Sequence, residues 1–265
     1  MGSKYLIAAF VSGLLSFSPA KAETGKLETI DIKPLWNLPA ELEQRLVGVY
    51  FRNEDGSETK RFHGWFYDDR HIIVNWHGFR DPVDGSGRSQ MASAPLSDFA
   101  KYSDLSRHYV KDVSGKRYDL TLGYCQSPER DLAVIVASSP NNDISGKTSL
   151  GNVQEGQEIG IILITDGSIE LRYGEVKQKS KGEWVKNFDS RTHYFINVER
   201  TTINGWAGNS GAIGFSGEKI VGMVSFGTLV EEDESVRKNL GLTNANNIEF
   251  LLEHCGPHME LKKQE

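Results

Sequence analysis

Gly208-Asn209-Ser210-Gly211-Ala212, followed by Ile220-Val221-Gly222-Met223-Val224-Ser225-Phe226-Gly227, is a turn of small residues feeding an apolar run of strand length. Small residues on both sides of Ser210 let the backbone fold tightly, so that the amides of Gly208 and Ser210 converge on one point. A serine hydroxyl is inert at its free pKa. To act as a nucleophile it needs a neighbouring base, a carboxylate that orients the base, and backbone donors for a developing oxyanion. Gly-Asn-Ser-Gly alone is ordinary hairpin composition, so Ser210 becomes a candidate nucleophile through what precedes it.

The candidate base is His77. In His71-Ile72-Ile73-Val74-Asn75-Trp76-His77 a short β-branched run ends and a histidine sits just past it, where a strand end holds a side chain rigidly. Of the seven histidines, His63 and His71 lie inside or before the same strand region, and His108, His193, His254 and His258 lack a comparable apolar run leading into them. The candidate carboxylate is Asp131, in Glu129-Arg130-Asp131-Leu132-Ala133-Val134-Ile135-Val136, at the mouth of a run apolar enough to be a buried strand. Shielded there, it can accept the second ring proton of His77, fix the tautomer and stabilise the imidazolium. Without its two partners it would read as an aspartate capping a turn.

Together these pieces resemble the trypsin-like, chymotrypsin-fold serine peptidases, whose chain order is His, Asp, Ser. Ile72 to His77 matches the spacing of the family's Ile-Leu-Thr-Ala-Ala-His, Asp131 to Ile135 its Asp-Leu-Ala-Leu-Leu, and Gly208 to Ala212 its Gly-Asp/Asn-Ser-Gly-Gly. Val224-Ser225-Phe226-Gly227 is similar to the family's Ser-Trp-Gly strand, which pairs with the substrate backbone and walls the specificity pocket. Gly156 to Gly160 and Gly174 to Val176 resemble strand openings of the second barrel, so the likeness covers residues 45–255. The departures are Trp76 beside the histidine, where the family has a small residue, and Ala212 in place of the second glycine, with no proline after it.

The resemblance implies an all-β fold of two six-stranded antiparallel barrels with a C-terminal α-helix. Barrel one is expected at about 45–140, barrel two at about 150–235, the helix at about 244–254 and a charged tail at 256–265. It also implies catalysis by His77, Asp131 and Ser210, an oxyanion hole of the Gly208 and Ser210 amides, and substrate contacts at Asn204, Ser225, Phe226 and Gly227. Asn204, six residues before Ser210, is then the pocket floor. Asn209 is uncharged, so it cannot pair with a freed N-terminal ammonium as the family's aspartate does on maturation.

Local pattern agrees with an all-β chain. Leu46 to Phe51, Arg61 to Tyr67, His71 to Asn75, Tyr118 to Tyr124, Leu132 to Ala137, Glu158 to Thr165, Ser168 to Val176, Thr192 to Val198, Ala212 to Phe215 and Lys219 to Ser225 read as strands. Asp55-Gly56 and Ser114-Gly115 are turns, Gly85-Ser86-Gly87 marks a loop, Ser97 to Tyr102 is helix-compatible, and Ser138 to Thr148 reads as the linker between barrels. Ile248, Leu251 and Leu252 recur at helical spacing.

Lys4, the apolar stretch Tyr5 to Leu15 and the Ala20-Lys21-Ala22 ending form a secretory signal peptide over 1–22, cleaved after Ala22, with 23–44 an N-terminal extension. No cysteine follows the cleavage site to carry a lipid anchor, so after signal removal no membrane attachment is expected and the protein is exported, periplasmic or secreted. The formal charge of −6 is spread without a basic run, which argues against nucleic acid as a partner. Cys125 and Cys255 permit one disulfide, and neither has the spacing of a zinc site. The expected partner is a protein or peptide substrate, with no metal and no cofactor; oligomeric state is not legible. The competing expectation is an inactive trypsin-like pseudoprotease that binds peptides, with Trp76 and Ala212 closing the site.

Overall fold

The computed structural model describes residues 40–79, 107–165, 168–186, 192–206, 209–230 and 233–259. The expected signal peptide, the extension up to residue 39, the Gly85 loop, the segment Ser97 to Tyr102, Gly208 and the last six residues lie outside the described residues.

A short helix α1 (Ala40–Arg45) leads into six antiparallel strands: β1 (Leu46–Arg52), β2 (Glu58–Phe66), β3 (His71–Val74), β4 (His108–Asp112), β5 (Arg117–Ser127) and β6 (Leu132–Ala137). They close into a barrel in the order β1-β2-β3-β6-β5-β4. A second set comprises β7 (Glu158–Thr165), β8 (Ser168–Lys186), β9 (Thr192–Thr201), β10 (Gly205–Trp206), β11 (Ile213–Ser216), β12 (Lys219–Val230) and β13 (Asp233–Asn244). Here β13-β12-β11-β7-β8-β9 closes through a β13–β9 pairing, and β10 adds to β13 from outside. Helix α2 (Ala245–Met259) follows. The fold is therefore two closed six-stranded antiparallel barrels and a C-terminal helix, as the resemblance implies. The elements depart from the sequence pattern in places: α1, β4, β10 and β13 carry no expectation, β8 runs past Val176 to Lys186, and α2 continues to Met259, into the stretch read as tail.

Period-2 alternation explains why β3 and β6 are apolar at nearly every position. Successive side chains leave a strand on opposite faces. Ile72, Val74, Ala133, Ile135 and Ala137 fill the first barrel. Their neighbours Ile73, Leu132 and Val134 face the other way, into a core between the barrels that also takes Trp65, Ile213, Phe215, Ile220 and Met223, with Ile248 and Leu251 of α2. A third core, with Ile161, Ala212, Val224 and Leu240, fills the second barrel. Each such side chain contributes about 1.5–3 kcal/mol by leaving water, so the inter-barrel core fixes the barrels against one another.

Two local links complete that junction. Cys125 of β5 and Cys255 of α2 form a disulfide with Cα atoms 5.7 Å apart, which ties the helix to the first barrel across 130 residues of sequence. On the opposite side, the turn before β11 docks on β2: His63 N donates to Ser210 O at 2.9 Å, and Gly211 N donates to Val224 O at 2.9 Å. Gly211 has φ +84° and lies so close to β2 that a Cβ would run into the His63 carbonyl. Both facts demand glycine. The φ value alone would cost a side chain about 1–2 kcal/mol, and the steric conflict is with backbone that cannot swing aside. Gly211→Ala is therefore expected to lower the urea-unfolding free energy by at least about 2 kcal/mol. Wild-type stability in that variant would show that the turn and β2 are not held in contact.

Candidate active site

The pairing register of the first barrel sets the site. β3 and β6 pair as Ile72↔Ile135, Ile73↔Val134 and Val74↔Ala133. Continued past Val74, the register brings Trp76 opposite Asp131, and Trp76 N does donate to Asp131 O at 3.2 Å. The chain then turns through a 3-10 helix, Trp76–Phe79, which carries His77. Gly78 lets this turn lie against the Phe62 ring, which a Cβ there would meet at 2.5 Å.

Asp131 sits between a 3-10 helix, Pro128–Arg130, and β6, at φ +53°. Aspartate is among the residues that tolerate the left-handed region, at a cost a bulky residue could not meet. The turn is held from the second barrel: Thr243 Oγ1 donates to Arg130 O at 2.9 Å, and Asn247 Nδ2 donates to Thr243 Oγ1 at 2.9 Å. Arg130 also lays its guanidinium 3.7 Å from the centroid of Phe250 on α2.

The side chains of Ser210, His77 and Asp131 form one hydrogen-bonded chain. Ser210 Oγ is 2.9 Å from His77 Nε2. His77 Nδ1 is 2.9 Å from Asp131 Oδ1 and 2.8 Å from Oδ2. The backbone N of His77 adds a 3.0 Å donation to Oδ1. The Asp131 side chain is 1% exposed and that of His77 15%, so the carboxylate is shielded while the imidazole reaches the surface. An ionised carboxylate only accepts hydrogen bonds, so Nδ1 carries the ring proton and Nε2 presents its lone pair to the serine hydroxyl. A base so placed can take the hydroxyl proton.

The other sequence candidates fall as follows. Gly208 lies outside the described residues. Ser225 is buried, and its Oγ accepts from Asn75 Nδ2 at 3.1 Å. Phe226 is half-buried, stacked on Phe195 with centroids 4.9 Å apart and covered by the Arg200 guanidinium at 4.4 Å. Gly227 is half-buried on the same strand. β11 pairs with β12 only as far as Met223. From Ser225 onward, among the described residues, no strand pairs with that edge of β12. Asn204 is exposed; its Oδ1 accepts from Asn239 N at 3.2 Å and its O from Arg172 Nη1 at 2.7 Å. Two buried side chains lie beside the adjoining Gly205, with Asn209 Oδ1 2.6 Å and Leu240 2.9 Å from a Cβ built there.

Of the two departures from the family pattern, Trp76 is half-buried and packs on the core of the first barrel, and Ala212, 1% exposed, belongs to the core of the second. Sequence reasoning missed Asn75, whose Nδ2 donates to Asp131 Oδ2 at 3.0 Å. The available signal was an amide closing an otherwise apolar strand, two residues before the candidate base. Among the described residues there is no cluster of three His, Cys, Asp or Glu able to hold a metal, and no helix long and apolar enough to cross a membrane.

No protein-family model matches the sequence, and no match is found among curated proteins. Solved structures do match. The Rv3671c protease from M. tuberculosis in its active form is 11% identical with a TM-score of 0.54, over 81% of this chain and 82% of that one. The HtrA-type protease AlgW with tripeptide is 14% identical with a TM-score of 0.57, over 83% of this chain and 62% of that one. At such identities the likeness carries the fold, and this chain has the chymotrypsin-type double barrel of trypsin-like serine proteases.

Proposed function

We propose that this chain is an exported serine endopeptidase. The observation that carries the reading is the unbroken chain from Ser210 Oγ through His77 to Asp131, assembled from three separate segments on two barrels. Nε2 of His77 takes the Ser210 proton as Oγ attacks the peptide carbonyl carbon. The amides of Gly208 and Ser210 hold the oxyanion. Nε2 then returns the proton to the leaving amine, which leaves an acyl-enzyme. Water, deprotonated by the same nitrogen, releases the acid. Asp131 keeps Nδ1 protonated and stabilises the imidazolium throughout. The free edge of β12 from Ser225 to Gly227 receives the substrate backbone as an added strand, the mode in which main-chain bonds supply affinity and alternate side chains specificity.

The pseudoprotease alternative has Trp76 and Ala212 closing the cleft; half-buried Trp76 packs against the core of the first barrel and Ala212 lies in that of the second, which supports the active reading. Ser210→Ala and His77→Ala should each lower turnover of a denatured casein by orders of magnitude, with unchanged circular dichroism and losses that do not add. A serine-reactive phosphonate should label Ser210 in the wild type. Equal activity in wild type and Ser210→Ala would end the peptidase reading.

At the residue before the scissile bond we expect small or medium apolar or neutral polar side chains. Asn204 brings no carboxylate, its amide oxygen is taken by Asn239 N, and the buried neighbours of Gly205 are Asn209 and Leu240, neither of them charged. A buried Arg or Lys would lack a counter-charge, which is expensive. A peptide-library profile dominated by Arg or Lys would contradict this. Export agrees with the Cys125–Cys255 disulfide, since such bonds persist in oxidising compartments. N-terminal sequencing of exported protein should begin at Glu23; a start far from it would overturn the assigned signal peptide.

A further inference from the structure

We propose that Asn75 is a positioning residue for Asp131, an amide inserted between the carboxylate and Ser225 that fixes the orientation of the acid. The proposal rests on the hydrolytic reading of the site. Asn75 is 0% exposed and does not reach the cleft, so it acts through Asp131 rather than on substrate.

The hydrogen-bond inventory of the amide leads to this assignment. Nδ2 has two hydrogens. One is directed at Asp131, with Oδ2 at 3.0 Å and the main-chain O at 3.3 Å. The other is directed at Ser225 Oγ at 3.1 Å. Oδ1 is buried and has no hydrogen-bond partner among the described residues. Turning the amide over would give Oδ1 a place beside Asp131 Oδ2, two acceptors face to face, so the negative charge dictates which end faces it. A buried carbonyl left without a donor is costly, and it is tolerated here because the other end of the same group meets a buried charge. Hydrogen bonds to charged groups are roughly twice as strong as neutral ones.

The consequence is geometric. Asp131 Oδ1 is held by His77 N and Nδ1, and Oδ2 by His77 Nδ1 and Asn75 Nδ2. Without Asn75 the carboxylate depends on His77 alone and is free to turn about its Cβ–Cγ bond, taking the imidazole with it. Because Nδ2 also holds Ser225 Oγ on β12, the acid on the first barrel is referenced to the strand proposed to bind substrate on the second. The titratable groups around Asn75 are Asp131, His77 and, one step past the Gly64↔Val74 pair, His63 on β2. Glu129 and Arg130, on the turn before Asp131, pair with each other.

The test is the pH dependence of kcat and KM, on a peptide that the wild type cleaves, for wild type, Asn75→Leu, Asn75→Asp and Ser210→Ala. Asn75→Leu is expected to lower kcat about tenfold to a hundredfold with KM within about twofold. Asn75→Asp has nearly the same shape and guards against a folding failure of the leucine variant. Ionised, it places a second negative charge beside Asp131 and raises the pKa of His77, so the rise of activity with pH, as His77 loses its proton, moves to higher pH than in the wild type. A purely structural role predicts a lower Tm and an unchanged profile.

The low-field Nδ1 proton resonance of His77, recorded in the Ser210→Ala background, reads the same orientation without turnover. It should move on adding Asn75→Asp. A wild-type pH profile in Asn75→Asp, or an unmoved resonance, overturns the positioning role. If wild type and Ser210→Ala are equally inactive while the resonance moves, the hydrolytic reading fails and the effect of Asn75 on Asp131 stands.

Discussion

The buried carboxylate of Asp131 sets the terms on which the residues around it are arranged. A carboxylate at 1% exposure is tolerable only when its lone pairs are met by donors, because an unpaired buried charge costs more than a domain's marginal stability can absorb. Every donor that Asp131 finds comes from residues 75–77: the Asn75 amide, the His77 main chain and the His77 ring. That supply depends on β3 ending where β6 begins, which the Val74↔Ala133 register enforces. Because a one-residue slip would turn each strand's apolar set to the opposite face, hydrophobic burial in two cores fixes the register. The register in turn places the imidazole. Electrostatic and apolar requirements therefore select the same alignment.

The serine has a different kind of support. Ser210 is half-exposed on a turn, and it is held through its neighbours: its own carbonyl by His63 N, Gly211 N by Val224 O, and Ala212 by the second barrel's core. Gly211 brings that turn into backbone contact with β2. The place of Ser210 Oγ is thus set by main-chain hydrogen bonds and the second barrel's core. A side chain held in this way can be altered without disturbing what positions it.

How much of this was legible in the sequence depended on whether a feature was local. Ile72 to Val74 and Leu132 to Ala137 announced strands because both faces of each are buried, and small residues announced the turn at Ser210. β13 escaped because Asp233 to Asn239 is charged and polar, its outer half pairing only with the far ends of β12 and β10; apolar alternation is absent there. β8 reads as a strand to Val176 yet continues to Lys186, because a hairpin partner, β9, satisfies a backbone whose side chains are largely polar. Asn75 went unread as part of the site for a related reason: its partners lie 56 and 150 residues away, and the one local sign, an amide closing an apolar strand, is shared by any polar strand end.

The C-terminal helix gives a final reason for placing chemistry between barrels. α2 contributes Ile248 and Leu251 to the inter-barrel core and is tied to β5 by the disulfide. At the same time the strand leading into it holds the turn before Asp131 through Thr243 Oγ1, which Asn247 orients. A positive φ at Asp131 stores strain that must be compensated nearby. The hydrogen bonds that hold the preceding turn come from elements more than a hundred residues downstream, so the conformation of Asp131 is supported by the second barrel and helix. In such a fold His77 and Asp131 belong to one barrel and Ser210 to the other, and the hydrogen-bonded chain is complete only in the fully assembled molecule.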